Sequence, residues 1–171
     1  EVLRQEIAGE HRIGLFEGSI SFSPEYEEEI PTVSITALRP LSEFDQEGIR
    51  YFAGLAHYTL DFGLPEGVDL SAGEWYINLG MLDATAEVTL NGRKLGYAWS
   101  PNQEWEVSGL LGAENTLEVS VAVPYINRIK GDLIKYGEIR TVWTTAGLDY
   151  IAEQPLKKVG LCGPVRLFRY K

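Results

Sequence analysis

The chain has 171 residues, of which 44% are hydrophobic and 23% are charged, so it is long enough to bury one sizeable core. Its formal net charge of −10 argues against a nucleic acid or an anionic membrane as partner, because both select for clustered lysine and arginine. The single cysteine, Cys162, cannot form an internal disulfide, and with only His11 and His57 as partners a catalytic thiol or a zinc site is not expected.

The first ten residues carry neither an initiator methionine nor a signal peptide. We interpret residues 1–10 as a linker-like start and expect the chain to be a piece of a longer protein. The acidic run EYEEEIP at residues 25–31 is typical of a solvated loop or an edge strand, with a cation-binding role as the alternative.

Strand-type periodicity extends along most of the chain. The stretches that carry it are TVSITAL, IRYFAGLAHYTLDF, EWYINLG, NTLEVSVAVPY and VGLCGPVRLFRYK. Turn sequences such as LPEG, SAG, NG and LGAEN separate them. Many short strands at this spacing predict an all-β fold, a β-sandwich that residues 1–171 form as a single domain.

The stretch AEVTLNGRKLGYAW predicts a tight hairpin with Asn91-Gly92 at its turn. Asn-Gly is the strongest short hairpin signal, because a type I′ turn needs positive φ at both central residues. Regular pairing from this turn sets Val88 opposite Leu95 and predicts that Tyr97 and Trp99 share the core face.

Strand reversal also places the loops. If each strand simply reverses, the loop LDAT, the loop WSPNQ and the segment after Tyr125 meet at the end of the sandwich that lies away from Asn91-Gly92. Trp99 would then lie where the core runs out, and its ring could pack inward and still line a pocket with one edge.

Residues 126–150 are interpreted as a long excursion between two strands, with one helical turn. Gly131 and Gly137 argue against a longer helix, since each costs about 1 kcal/mol relative to alanine. Connections of this length in compact domains are often functional.

Acidic pairs are plentiful, but nothing in their spacing places two carboxylates across a cleft, as glycosidase chemistry requires. The sequence also has no phosphate-binding loop, nucleophile elbow or metal-ligand cluster. We therefore expect no catalytic and no metal-binding residues.

Aromatic residues with polar neighbours are the strongest chemical signal in the sequence. Pyranose rings stack on indole and phenol rings, while their hydroxyls hydrogen-bond to Asn, Arg and Asp. For Trp75 a core position is the simpler interpretation. For Trp99 and Trp143 a ligand role and a packing role both stay open.

Four stretches resemble the galactose-binding-like jelly-roll domains attached to large glycoside hydrolases: GIRYFAGLAHYTLDF, INLGMLDATAEVTLNGRKLGYAW, NTLEVSVAVPYINRIKGD and GLCGPVRL. The resemblance covers residues 48–167 and is closest to the sandwich domains of the α-L-rhamnosidase and glycoside hydrolase family 2 types. It implies a non-catalytic β-sandwich that supports a barrel or binds carbohydrate, with the catalytic carboxylates on that barrel. It also implies a secreted, periplasmic or cell-surface location within a larger bacterial protein. Structural calcium is possible in such domains, but no ligands for it can be assigned here.

The resemblance carries the family's NR-x-x-GD element onto Asn127, Arg128 and Asp132. The chain departs from the family at WSPNQEW, where Asn102 stands in place of a proline, so a rhamnose preference is not implied. Arg128 and Asp132 are four residues apart and could instead form an internal salt bridge that holds the excursion in place.

We therefore expect a non-catalytic, carbohydrate-binding accessory domain of a larger glycoside hydrolase. Its partners would be an oligo- or polysaccharide and the parent catalytic domain in cis, with no cofactor, nucleic acid or membrane. The expected ligand-binding residues are Trp99, Asn102, Tyr125, Asn127, Arg128, Asp132 and Trp143.

Two alternatives remain. The first is a structural domain that docks against its parent barrel and binds no ligand of its own, which predicts a flat, exposed apolar patch. The second is a small independent glycosidase or lyase, which would need two carboxylates converging in a cleft.

Overall fold

The structure, a computed structural model, describes residues 7–14, 16–26, 29–100, 102–144 and 148–170. Strands and short helices account for most of these residues. In chain order the strands are β1 (Ile7–Arg12), β2 (Glu17–Pro24), β3 (Val33–Ile35), β4 (Gly54–Gly63), β5 (Trp75–Asn78), β6 (Met81–Leu82), β7 (Thr85–Leu90), β8 (Arg93–Ala98), β9 (Glu104–Glu106), β10 (Glu114–Val123), β11 (Leu161–Gly163) and β12 (Arg166–Tyr170). The helices are α1 (Glu47–Arg50), α2 (Ile126–Tyr136) and α3 (Leu148–Glu153), preceded by a 3₁₀ turn at Leu41–Glu43.

Two antiparallel sheets pack face to face, and the chain is an all-β sandwich, as the sequence predicts. The larger sheet has the strand order β3-β2-β4-β10-β7-β8, and the smaller has the order β1-β12-β5-β9. Strands β6 and β11 form a separate pair.

The core lies between the two sheets and is formed by alternate residues of their strands. In β10, Leu117, Val119, Val121 and Val123 are buried while Glu118 is exposed, so the predicted face is confirmed. Each fully buried side chain of this size contributes about 1.5–3 kcal/mol relative to an exposed one.

The start of the chain is only partly as expected. Residues 7–10 belong to β1, which pairs with β12 at the edge of the smaller sheet, so the linker interpretation is wrong for them. Residues 1–6 lie outside the described residues.

The excursion contains far more helix than one turn, because helix α2 has 11 residues. Gly137 does not oppose it but ends it, in a left-handed conformation at φ 72° whose N–H bonds to Leu133 O at 3.0 Å. Gly131 lets α2 pack against Tyr51, since a Cβ there would lie 2.7 Å from the ring. Packing therefore outweighs the helix penalty of Gly131, whereas Gly137 lies at the end of the helix and incurs none. The next strand is β11, and residues 145–147 lie outside the described residues.

The hairpin turn is confirmed, but the pairing beyond it is not regular. Asn91 and Gly92 have φ values of 50° and 77°. Val88 pairs with Gly96 rather than with Leu95, because Leu95 is an extra residue in β8 and forms a β-bulge. Gly96, at φ 130°, adopts the backbone conformation that follows the bulge.

Candidate functional site

The loops converge as strand reversal predicts. Ala86 pairs with Ala98, and Thr85 pairs with Ala122 near the end of β10, so both hairpin strands and β10 reach the same end of the sandwich. Helix α2 begins there, and we call this the helix end. The opposite end, at Asn91-Gly92, is the hairpin end.

The bulge decides where Trp99 lies. An extra residue in a strand reverses the inward and outward alternation beyond it. Ala98 is therefore buried, Tyr97 is exposed and Trp99 is 77% exposed, so the expected core position of Tyr97 and Trp99 is wrong.

Trp99 lines an open groove of about 670 Å³ at the helix end. One wall is the segment of residues 81–85, and the other carries Lys157 and Lys158. The groove thus combines an exposed indole with a carboxylate, a hydroxyl and two ammonium groups.

Buried Asn78 ties two parts of this groove together. Its side-chain N–H donates to Gln103 O at 3.0 Å, in the loop after Trp99, and its Oδ1 accepts from Gly80 N at 2.8 Å, before Met81. An ionised aspartate at this position could not donate to the carbonyl.

Asn127 holds the opposite wall. Its side chain is 1% exposed, its Nδ2 donates to Lys157 O at 2.8 Å, and its Oδ1 accepts from Lys157 N at 2.8 Å. Asn127 therefore fixes the backbone of the groove from the interior.

Asp132 holds a different segment. The carboxylate is 2% exposed and its Oδ2 accepts from Arg140 N and Thr141 N, both at 2.9 Å, and from Thr141 Oγ1 at 2.6 Å. Burial raises its pKa, but these hydrogen bonds and the Arg128 charge outweigh burial and hold the pKa below its usual value. Arg128 Nε lies 3.5 Å from Asp132 Oδ1, the internal salt bridge that the sequence offered as an alternative.

Arg128 has further contacts within the chain. Its guanidinium lies 4.1 Å from the centre of the Tyr26 ring, and its Nε donates to Thr141 Oγ1 at 3.0 Å. Arg128 and Asp132 also line a separate cleft of about 340 Å³ between α1 and α2.

The remaining expected residues lie in exposed or half-buried loops. Trp143 is 84% exposed, two residues after the anchored Thr141. Asn102 is exposed, and half-buried Tyr125 donates its hydroxyl to Glu25 Oε2 at 2.8 Å. Of the expected residues, Trp99 lines the groove, whereas Asn127 and Asp132 act from the interior.

Sequence reasoning missed the lysines and Asn78. The LDAT loop was expected at this end, but the lysines belong to a segment without strand or helix periodicity. Asn78 lies within the stretch EWYINLG, and an amide among apolar strand residues was the available signal.

Metal and membrane signals are absent from what the structure describes. Among the described residues, no three His, Cys, Asp or Glu side chains are grouped to hold a metal ion. No helix within the described ranges has the length and apolar character that crossing a bilayer requires. Burial raises the pKa of the Cys162 thiol to about 11, which disfavours the reactive thiolate.

No family model matches the chain. A Formosa agariphila protein named "Putative beta-glucuronidase" is 34% identical over 104 residues, which is 60% of this chain and 9% of that protein. The chain therefore spans only a small part of this relative.

Solved structures extend the similarity to nearly the whole chain. A rhamnosidase from a Novosphingobium species matches with a TM-score of 0.74 and 28% identity, over 98% of this chain and 16% of that one. A beta-D-glucuronidase from Dictyoglomus thermophilum matches with a TM-score of 0.57 over 96% of this chain and 28% of that one, and at 15% identity it supports the fold alone. The chain is thus similar to one segment of large glycoside hydrolases.

Proposed function

We propose that the chain is a non-catalytic accessory domain, of the galactose-binding-like jelly-roll type, in a larger secreted, periplasmic or cell-surface glycoside hydrolase. Its role would be to bind an oligo- or polysaccharide in the groove beside Trp99. The observation that carries the proposal is the exposure of Trp99, which the bulge at Leu95 turns out of the core and into a groove with polar walls.

An exposed indole forgoes the stabilisation that burying its apolar surface would contribute, unless a ligand covers it. A tryptophan buries about 150–250 Å² when it packs, and this chain leaves that surface to water at Trp99. The apolar face of a pyranose ring is a suitable partner, because it covers the indole while its hydroxyls point to the groove walls. Asp83, Thr85 and the two lysines supply hydrogen-bond acceptors and donors there.

Buried clamps give the groove a fixed shape. Asn78 and Asn127 hold its two walls from the interior, so less conformational entropy is lost on binding than with free loops. Asp132 and Arg128 similarly hold the segment that leads to Trp143. We propose that Trp143 is a second contact for a longer glycan, joined by Asn102 and Tyr125, and that Asn127, Arg128 and Asp132 act mainly through the loops they hold.

A glycan panel titrated while tryptophan fluorescence is followed tests the proposal. Trp99→Ala should abolish binding, because it removes the stacking surface, and Trp143→Ala should weaken binding of long glycans only. Tyr97→Ala is the matched control: it removes an exposed aromatic two residues before Trp99, outside the groove, and should leave binding unchanged. No response of the folded wild-type domain to any glycan would reject carbohydrate binding.

Docking against the parent enzyme is the second candidate, and a separate surface favours it. The outer face of the larger sheet has a hollow of about 360 Å³ whose lining includes the exposed side chains of Leu55 and Tyr97. In the intact parent protein, Leu55→Asp should lower the thermal midpoint if this face is covered. An unchanged midpoint in the parent would speak against docking through this face.

A further inference from the structure

We infer that the groove beside Trp99 takes an acidic sugar residue, carrying a carboxylate or a sulfate ester, in preference to a neutral one. This inference rests on the proposed function and names the class of glycan that the groove selects.

The charge of the groove opposes the charge of the chain. The chain carries a formal −10, with 25 acidic and 15 basic residues. The charged residues that line the groove are Lys157, Lys158 and Asp83, a formal +1. A positive site on an acidic protein is a local feature rather than a consequence of composition.

The backbone segment that carries this charge is anchored by the fold. Asn127 holds both backbone polar groups of Lys157 at 2.8 Å, and it does so from a site that is 1% exposed. The backbone that carries the two lysines is therefore anchored at Lys157 rather than free to move as a loose loop.

Lys158 is weakly engaged within the chain. Its Nζ lies 3.8 Å from Glu43 Oε1, and both side chains are about half exposed or more. An exposed pair at this distance has little strength, so an anionic ligand can compete for the ammonium group.

The chemistry of an acidic sugar matches this arrangement. Its ring offers an apolar face to Trp99, and its anionic substituent offers oxygen acceptors to the lysine ammonium groups. A neutral hexose would also use the indole, but it would offer the lysines only uncharged hydroxyl oxygens, which form weaker hydrogen bonds with an ammonium group.

The inference is tested by calorimetry in 150 mM salt, which measures the affinity of the domain for an acidic glycan and for its neutral counterpart. At this ionic strength the Debye length is about 8 Å, so the repulsion by the distant negative charge is largely screened. The probes are polygalacturonate, alginate and glucuronan, each beside its carboxyl-reduced form, and carrageenan and fucoidan beside their desulfated forms.

We expect at least one acidic glycan to bind more tightly than its neutral counterpart, by roughly three- to tenfold, the effect of two exposed ion pairs of ordinary strength. The double variant Lys157→Gln/Lys158→Gln should remove this difference, because glutamine keeps an N–H donor for sugar hydroxyls but carries no charge. Lys130→Gln/Lys135→Gln is the control with the same change in charge, because both lysines lie on α2 and neither lines the groove. Whether the carboxylate or the sulfate pair responds identifies the anion.

The outcomes separate the two claims. Equal binding of both members of every pair, with Trp99→Ala weakening both, would overturn the acidic preference and leave carbohydrate binding intact. Competition by polyglutamate as strong as that by the acidic glycan would also overturn it, since charge alone would then suffice. Failure of every glycan to bind would reject both claims.

Discussion

The hairpin end of the sandwich carries the two-residue turn at Asn91-Gly92 and the loop that precedes β10, whereas the helix end carries the long connection between β10 and β11 that contains α2 and α3. At the hairpin end, Asn91 donates to Leu110 O at 2.7 Å and accepts from Thr116 N at 2.8 Å, and buried Asn115 accepts from Asn91 and from Gly112 N.

At the helix end, the buried side chains of Asn127 and Asp132 hydrogen-bond to the backbone of a much longer connection. A long loop leaves many backbone groups to satisfy and much entropy to lose, so buried side chains must supply its hydrogen bonds. The two ends differ in the side chains that they expose to solvent. The longer connection leaves side chains such as Trp143 exposed to solvent, and it places two lysines next to Trp99.

Among residues of the two ends, the largest change in stability is expected at Asp132, which holds the long connection at the helix end. Asp132→Asn should lower the free energy of unfolding by about 3 kcal/mol, because it replaces a buried acceptor oxygen with an N–H group and removes the carboxylate charge beside Arg128. Urea denaturation measures this loss. Glu138→Gln, which alters an exposed ion pair with Arg140, is the control and should change stability by less than about 0.5 kcal/mol.

The same carboxylate predicts a pH dependence. The pKa of Asp132 is lower in the folded than in the unfolded state, so its ionised form stabilises the fold at neutral pH. This contribution should be lost progressively from about pH 5 downward as the pH falls through the folded-state pKa. The unfolding free energy of wild type should therefore fall more steeply than that of Asp132→Asn in this range. Parallel curves would contradict the assignment.

Alanine at Asn115 and at Asn127, one buried asparagine at each end, tests whether the ends are independent. Asn115→Ala and Asn127→Ala should each cost about 2 kcal/mol, because each leaves buried backbone groups unpaired. Hydrogen exchange should then accelerate near Gly112 in the first variant and near Lys157 in the second. Faster exchange at both ends in either variant would mean that the ends are coupled.

The bulge can be tested at Gly96. Its φ of 130° is strained for an L-residue, so Gly96→Ala should cost about 1–3 kcal/mol although a Cβ would meet nothing closer than 3.7 Å. Gly109→Ala is the control, because a Cβ there has open space and its φ lies outside the strained range. Equal stability of both variants would show that the bulge does not depend on glycine.

The smallest expected effect is at Trp99. Trp99→Ala should change the free energy of unfolding by less than about 0.5 kcal/mol, because the side chain is largely exposed. Trp75→Ala removes a fully buried ring and should cost about 3–5 kcal/mol. A large loss at Trp99 would mean that the indole packs against the protein in solution.

The fold was predictable from period-2 patterns and turn residues. Asn91-Gly92 and the alternation of β10 are local signals, and both are confirmed. The orientation of Trp99 was not predictable, since one extra residue at Leu95 reverses the face of everything after it. A bulge of this kind leaves no mark in hydrophobic periodicity, and only the neighbouring Gly96 hinted at it.

The sequence by itself determined the long strands β4 and β10, the hairpin turn and the end of the sandwich at which the loops meet, because these depend on side-chain alternation and turn conformation. Tertiary structure alone decided the length of α2, since its packing against Tyr51 outweighs the intrinsic cost of Gly131. It also decided that Asn127 and Asp132 face the interior, and that Lys157 and Lys158 stand beside Trp99. Such placements join residues far apart in the chain, and their energies come from burial and hydrogen bonding that no local pattern encodes.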